Sequence, residues 1–231
     1  MKHEVQKPLL TIDVVTLFPN IFRSPLRESI LRIGREKKLV KIRVHDLRKY
    51  THDKRRTCDD KPFGGGPGMV MKPEPIFEAF EDICGPEHHK IYLTPQGKPF
   101  THKIAERLSK MPKIALLCGH YEGVDERVRE HLIDEEISVG DFVTSGGEIP
   151  ALCIIDALVR LVPGVLGNEA SLDQESFNNG ELDYPHYTRP EKIGKRAVPK
   201  VLLSGNHKEI AKWRKQQALI KTQKARPDLL A

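Results

Sequence analysis

The sequence is short of the residues that build small stapled or metal-held folds. Its 231 residues include only four cysteines, Cys58, Cys84, Cys118 and Cys153, and no two form a C-x-x-C pair. That dispersion argues against zinc ribbons and disulfide frameworks, and makes a reducing cytosol the natural compartment. Long hydrophobic runs are missing as well. The most apolar segment, IPALCIIDALVRLVPGVL, carries Asp156, Arg160 and Pro163, so it does not read as a membrane span. The opening MKHEVQKPLLTIDVV has no apolar core of the length a signal peptide needs before charge returns. A soluble cytoplasmic protein without a membrane partner is expected. The length gives one or two domains with ample core, and an aromatic content of 6% suits an ordinary soluble enzyme.

Charge is present but unevenly spread. Between His186 and Arg226 stand twelve Lys/Arg against two acids, a net of +10, which leaves the rest of the chain near −4 out of a total of +6. A cationic C-terminal segment on a near-neutral body points to a nucleic-acid partner.

From Leu10 to Leu166, β-rich runs (LLTIDVVTLF, LVKIRVHDL, KIYLTPQG, KIALLCGHYEG, EISVGDFVTSGGE) alternate with amphipathic helical stretches. These are IFRSPLRESILRIGREKK, PEPIFEAFEDIC, THKIAERLSKM, VDERVREHLIDE and IPALCIIDALVRLV. Such alternation predicts an α/β fold with a mainly parallel sheet, whose ligands sit beyond the carboxyl ends of the strands. Three strands end in glycine-bearing turns, at Gly97, at Gly119 and Gly123, and at Gly140, Gly146 and Gly147, which points to one pocket. The boundaries drawn are a first domain over 1–166, an acidic flexible linker over 167–185 with five acids and no Lys or Arg, and a basic, largely helical domain over 186–231. In the last, Asn206 with Glu209 resembles a capping box, and Ile210, Trp213, Gln217 and Ile220 fall at helical spacing, with Trp213 read as core.

The stretch DDKPFGGGPGMVM, Asp59 to Met71, follows the basic run KYTHDKRRT. Three consecutive glycines belong where backbone turns sharply or approaches a ligand closely. Neither the Walker pattern nor the dinucleotide pattern fits, since both require a glycine where Met69 stands.

The strings DDKPFGGGPGM, LTPQGKPF, LCGHYEGVDERV, SVGDFVTSGGEIPA, RLVPGVLGNEAS, PHYTRPE and WRKQQAL occur in order over nearly the whole chain. Together they resemble the bacterial tRNA (guanine-N1)-methyltransferases, the TrmD family of the knotted SPOUT superfamily. The resemblance implies a deep trefoil knot in the first domain, S-adenosylmethionine as methyl donor, an obligate homodimer, and methylation of the guanosine at tRNA position 37, just 3′ of the anticodon. Two rival readings are a knotted methyltransferase acting on another RNA atom and a non-catalytic RNA-binding module.

The implied chemistry sets requirements. Guanine N1 carries a proton at neutral pH, so a base must remove it, a positive group must meet the charge left on O6, and the donor must lie in line. By resemblance the base falls in the acidic segment. Glu175, fifteen residues after Arg160, stands where the family has Asp, and Asp173 is the alternative; Arg160 would face O6. The donor pocket is expected from Tyr92, Leu93, Thr94, Pro95, Gln96 and Gly97, from Gly119, Tyr121, Glu122 and Gly123, and from Ser138, Val139, Gly140, Phe142, Thr144, Gly146 and Gly147. Glu122 would lie near the sulfonium and is the place for a helper Mg2+, although no metal-ligand spacing accompanies it. His120 stands where the family commonly has Arg. On the substrate side, Asp59 would read the N1/N2 donor edge of guanine while Pro62, Gly66, Pro67 and Gly68 close on a flipped base. Lys54, Arg55 and Arg56 would meet phosphate, and His186, Tyr187 and Arg189 would fold over donor or RNA.

Overall fold

In a computed structural model, residues 8–167, 175–177 and 180–230 are described. The chain divides after Gly167 into two compact units.

The first unit is built on five strands: β1 (Leu10–Thr16), β2 (Val40–Asp46), β5 (His88–Pro99), β6 (Lys113–Cys118) and β7 (Glu135–Ser138). Their order is β2-β1-β6-β5-β7 and every pair is parallel. A short antiparallel pair, β3 (Asp59–Asp60) with β4 (Val70–Met71), lies outside this sheet. β1 is buried along its whole length, as a parallel strand covered on both faces must be. Leu10, Ile12 and Val14 pack with α1 (Ser29–Glu36), α3 (His102–Ser109) and α5 (Glu148–Leu161) through Leu31, Leu108, Ile155 and Leu158. On the other face Val15, Tyr92 and Leu117 pack with α2 (Pro73–Ile83) and α4 (Glu126–His131) through Ile76, Phe80 and Val128. The result is a three-layer α/β unit, the class that the alternation predicts.

One buried position of β1 is charged. Asp13 is fully buried, yet Arg43 grips both its oxygens at 2.5 and 2.6 Å, His45 approaches at 2.6 Å and His88 at 3.4 Å. Burial alone would raise this carboxyl's pKa; the bonds from His45 and Arg43 outweigh it and hold the group below its ordinary value of 3.8.

Several elements differ from their expected extent, and two show the local cause plainly. The helical stretch IFRSPLRESILRIGREKK is two 3-10 turns, Pro19–Phe22 and Pro25–Arg27, before α1 begins at Ser29. Pro25 supplies no N–H and clashes with a preceding helical turn, so one continuous helix cannot form. The strand expected from EISVGDFVTSGGE stops at Ser138, because Gly140 takes φ +154 and leaves the extended path.

The second unit contains a hairpin of β8 (Lys192–Ile193) with β9 (Arg196–Ala197), then α6 (Lys200–Leu203) and α7 (His207–Ala225). Asn206 caps α7 by accepting from the Glu209 amide. The buried positions of α7 are Ala218 and Thr222, while Ile220 is exposed, so the packed stripe lies beside the one that the apolar spacing suggests. Thr222 donates to the Ala218 carbonyl and accepts from the Leu182 amide, each at 2.8 Å, and Lys221 bonds the Asp183 carbonyl. The described part of the acidic stretch thus lies along α7.

Candidate functional site

The carboxyl ends of β5, β6 and β7 open into a cavity of about 350 Å³, within the range of small-ligand sites. β5 supplies Tyr92, Leu93, Thr94, Pro95 and Gln96; the turn after β6 supplies Gly119, His120, Tyr121, Glu122 and Gly123. The turn after β7 supplies Ser138, Val139, Gly140, Phe142, Val143, Thr144, Ser145, Gly146 and Gly147. All the expected donor-pocket residues line it except Gly97. The registers of Leu93 and Lys98 both meet Ile137, so residues 94–97 loop out of the ladder, and Gly97 packs against the Ile137 backbone where a side chain has no room.

Part of the wall is bare backbone at glycines that have no room for a side chain. A Cβ on Gly147 would lie 2.7 Å from the α-carbon of Cys118, and one on Gly119 would lie 2.9 Å from the Tyr92 ring. Gly147 donates to the Gly119 carbonyl at 2.8 Å, tying the second and third turns together. Below them Tyr92 is almost fully buried; burial pushes its phenol up, with Arg129 pulling the other way. Arg129 is itself fixed by Glu136 at 2.7 and 2.9 Å. A cavity whose glycines expose amides and carbonyls can read the edges of a flat heterocycle without side-chain obstruction.

The glycine-rich stretch stands beside this cavity. Met71 bridges Val124, the Met71 amide donates to the Gly123 carbonyl and the Glu122 amide to the Met69 carbonyl, so the returning arm is zipped to the cavity's second turn. Asp59, paired with Met71 at the base of the hairpin, interacts with the Tyr121 hydroxyl, which also meets Arg48. Burial first and the Asp59 charge second push that phenol up. Of the tip, Gly66 and Pro67 are exposed and Pro62 is half-buried, while Gly68 packs against the Glu122 side chain, which leaves no room for a Cβ. Gly64, Gly65, Gly66 and Gly68 all have positive φ, nothing lies within 4 Å of a Cβ on the first three, and Phe63 is 100% exposed. Lys54, Arg55 and Arg56 are exposed on the approach, where Asp53 accepts from the Arg55 and Thr57 amides.

Arg160 lies in the last turn of α5, in the first unit. Glu175 belongs to the second unit, and Asp173 lies outside the described residues. In the second unit His186, Tyr187 and Arg189 line a cavity of about 620 Å³ together with Tyr184 and Arg214, whose guanidinium stacks 4.7 Å over the Tyr184 ring. Trp213 is half-buried, with its ring 6.4 Å from that of Tyr187. Among the described residues no cluster of three His, Cys, Asp or Glu side chains could hold a metal ion, and no helix is long and apolar enough to cross a membrane.

Sequence reasoning passed over several neighbours of the site. Arg48 and Thr16 carry no local motif, Phe63 and Glu148 lie within DDKPFGGGPGM and SVGDFVTSGGEIPA without a role of their own, and only their placement around the hairpin and the cavity brings them into view.

Comparison with known proteins extends this geometry. The family model described as tRNA (Guanine-1)-methyltransferase TrmD matches residues 10–231. A protein of Staphylococcus epidermidis is 51% identical over 222 residues, covering 96% of this chain and 91% of the relative. One of Dictyoglomus turgidum is 54% identical over 222 residues, covering 96% and 90%, and one of Carboxydothermus hydrogenoformans is 52% identical over 221 residues, covering 96% and 87%. Each of the three is named tRNA (guanine-N(1)-)-methyltransferase. With matches of this length carrying both the cavity turns and the hairpin, the chain belongs to the TrmD family of tRNA (guanine-1)-methyltransferases.

Proposed function

We propose that the protein moves the methyl group of S-adenosylmethionine to N1 of the guanosine at tRNA position 37. The observation that carries this reading is the cavity of backbone-lined strand ends standing against a glycine hairpin whose base carries Asp59. The cavity suits the donor's adenosine, and the Asp59 carboxylate can read the N1/N2 donor edge of guanine as the base arrives, a pair of donors that adenine lacks, and keep N2–H once N1 is deprotonated. A guanine in a single-stranded loop is the cheapest to flip out.

In this scheme Glu175, or Asp173, takes the N1 proton. The freed N1 lone pair forms a bond to the methyl carbon as the carbon–sulfur bond breaks, and its electron pair stays on sulfur, leaving S-adenosylhomocysteine. Arg160 meets the negative charge that spreads onto O6. Glu122 offers one carboxylate and no companion ligands among the described residues, so no step here runs through a metal.

The basic second unit, with its twelve Lys/Arg, would hold the tRNA, and the protein would act in the cytoplasm. A homodimer is inferred as well. Ile149, Phe142 and Val143 are exposed large apolar side chains beside the cavity, a pattern that a second copy would cover. The trefoil threading of the first unit is part of the same inference, and the close packing of Gly147 against Cys118 and Gly119 supports it.

The test is methyl transfer from labelled S-adenosylmethionine to an unmodified tRNA transcript with guanosine at position 37, against a matched adenosine transcript. N1-methylguanosine from the first alone is expected; product on neither, or a methylated ribose, would overturn the reading. Glu175→Gln is expected to keep donor binding and to lower turnover at least about a hundredfold, the general-base share. Full turnover in that variant would move the role to Asp173.

A further inference from the structure

We propose that Glu148, a residue of no assigned role, makes the cavity prefer the cationic methyl donor over its neutral spent product. The inference rests on the donor reading above.

Glu148 opens α5 and is 3% exposed. One carboxylate oxygen accepts from the Thr16 hydroxyl at 2.6 Å, and Thr16, at the end of β1, in turn accepts from the Phe18 amide at 2.9 Å. The other oxygen presses on Gly146, which lines the donor cavity: a Cβ at Gly146 would collide with it and would lie 2.7 Å from Nδ1 of His120. The carboxylate therefore stands one residue layer behind the cavity wall.

A buried carboxylate is costly unless something opposes its charge. Here the amino end of α5 and one neutral hydroxyl help, but Glu148 makes no ion pair among the described residues. His120 Nδ1, which faces the same glycine, is buried without a hydrogen-bond partner. The field of Glu148 also reaches Cys118, whose thiol is pushed up first by burial and then by this charge.

The missing opposite charge is what the cavity would bring. S-adenosylmethionine carries a sulfonium, an ammonium and a carboxylate and is a net cation. Once the methyl group leaves, sulfur is neutral and so is the molecule. An anion in a low-dielectric wall discriminates between the two whatever the donor's detailed pose, because the interaction falls off slowly with distance. Glu122, though part of the cavity lining, is exposed, and water screens it. The buried carboxylate is therefore the stronger discriminator of the two.

The experiment is calorimetric titration of S-adenosylmethionine and S-adenosylhomocysteine into the wild-type protein and into Glu148→Gln. Glutamine keeps an acceptor for Thr16 while removing the charge. Glu148→Gln is expected to weaken S-adenosylmethionine about tenfold and to leave S-adenosylhomocysteine within about twofold, with Glu148→Asp restoring most of the difference. Equal weakening of both ligands makes Glu148 a wall residue and overturns the inference, as does no change in either. A wild-type protein that binds neither ligand overturns the donor reading itself. Should Glu148→Gln not fold, the aza analogue of the donor, with a titratable nitrogen in place of sulfonium, gives the answer on the wild-type protein. It must bind more tightly protonated than neutral, and equal affinity in both forms overturns the inference.

Discussion

The strand-end cavity and the glycine hairpin are neighbours built on opposite principles. In the cavity, Gly119 and Gly147 are glycines because another atom occupies the place of a side chain. In the hairpin, Gly64, Gly65 and Gly66 have nothing near them and are glycines because of their positive φ. The cavity wall is thus fixed by packing, while the hairpin tip is fixed only by local backbone preference. The first should fail when filled; the second should fail when stiffened or bent.

Filling the wall has the largest expected effect. Gly147→Val puts a branched side chain where the Cys118 α-carbon lies 2.7 Å from the first added carbon and the Gly119 amide 3.0 Å away. Stability should fall by about 3 kcal/mol or more, and donor binding should be lost, as read by urea melts and calorimetry. Donor affinity within about twofold of wild type would mean that the wall yields, and the contrast with the hairpin would disappear.

The scaffold beneath the cavity gives the next effect. Asp13→Asn removes the charge that Arg43, His45 and His88 converge on. Because Arg43 is partly exposed, with side-chain exposure of 38%, the cost should be about 2 kcal/mol rather than that of a fully buried pair. The folded pKa of Asp13 lies below 3.8, so its contribution is whole above the unfolded carboxylate range and disappears as pH falls through the folded value. Wild type should therefore lose stability more steeply than Asp13→Asn below about pH 4. Parallel acid limbs in denaturant melts of the two proteins would refute that account.

What the sequence made legible follows the same division. Alternation of strand and helix predicts the parallel sheet because both patterns are local, and three glycine turns at strand ends predict one cavity because parallel sheets bring strand ends together. Long-range pairings leave no such trace. Thr16 and Glu148 are 132 residues apart and meet only because β1 ends where α5 begins. Gly97 looks like its fellows in the sequence, yet its glycine answers to the neighbouring strand rather than to the cavity. Asp13 sits in a run that reads as apolar, and its partners come from β2 and β5. On α7, Ile220 has the right spacing for a buried stripe, but Ala218 and Thr222 take the contact because Thr222 bonds the preceding chain at Leu182.

The smallest effect should come from the hairpin, and it separates the two regions most cleanly. Gly65→Ala introduces no collision, since nothing lies within 4 Å, but φ +79 costs an L-residue about 1 kcal/mol. Because the tip is free, that cost need not be met by unfolding; the loop can shift to a conformation with negative φ. Global stability should therefore change by less than about 1 kcal/mol and donor affinity not at all, while kcat/KM for tRNA methylation falls several-fold as the tip leaves its guanine-facing shape. Calorimetry with the donor beside kinetics with the tRNA transcript reads both halves. Loss of donor binding in Gly65→Ala would show that the hairpin shapes the cavity wall, and unchanged kinetics would show that its positive φ angles serve no step in reaching the base.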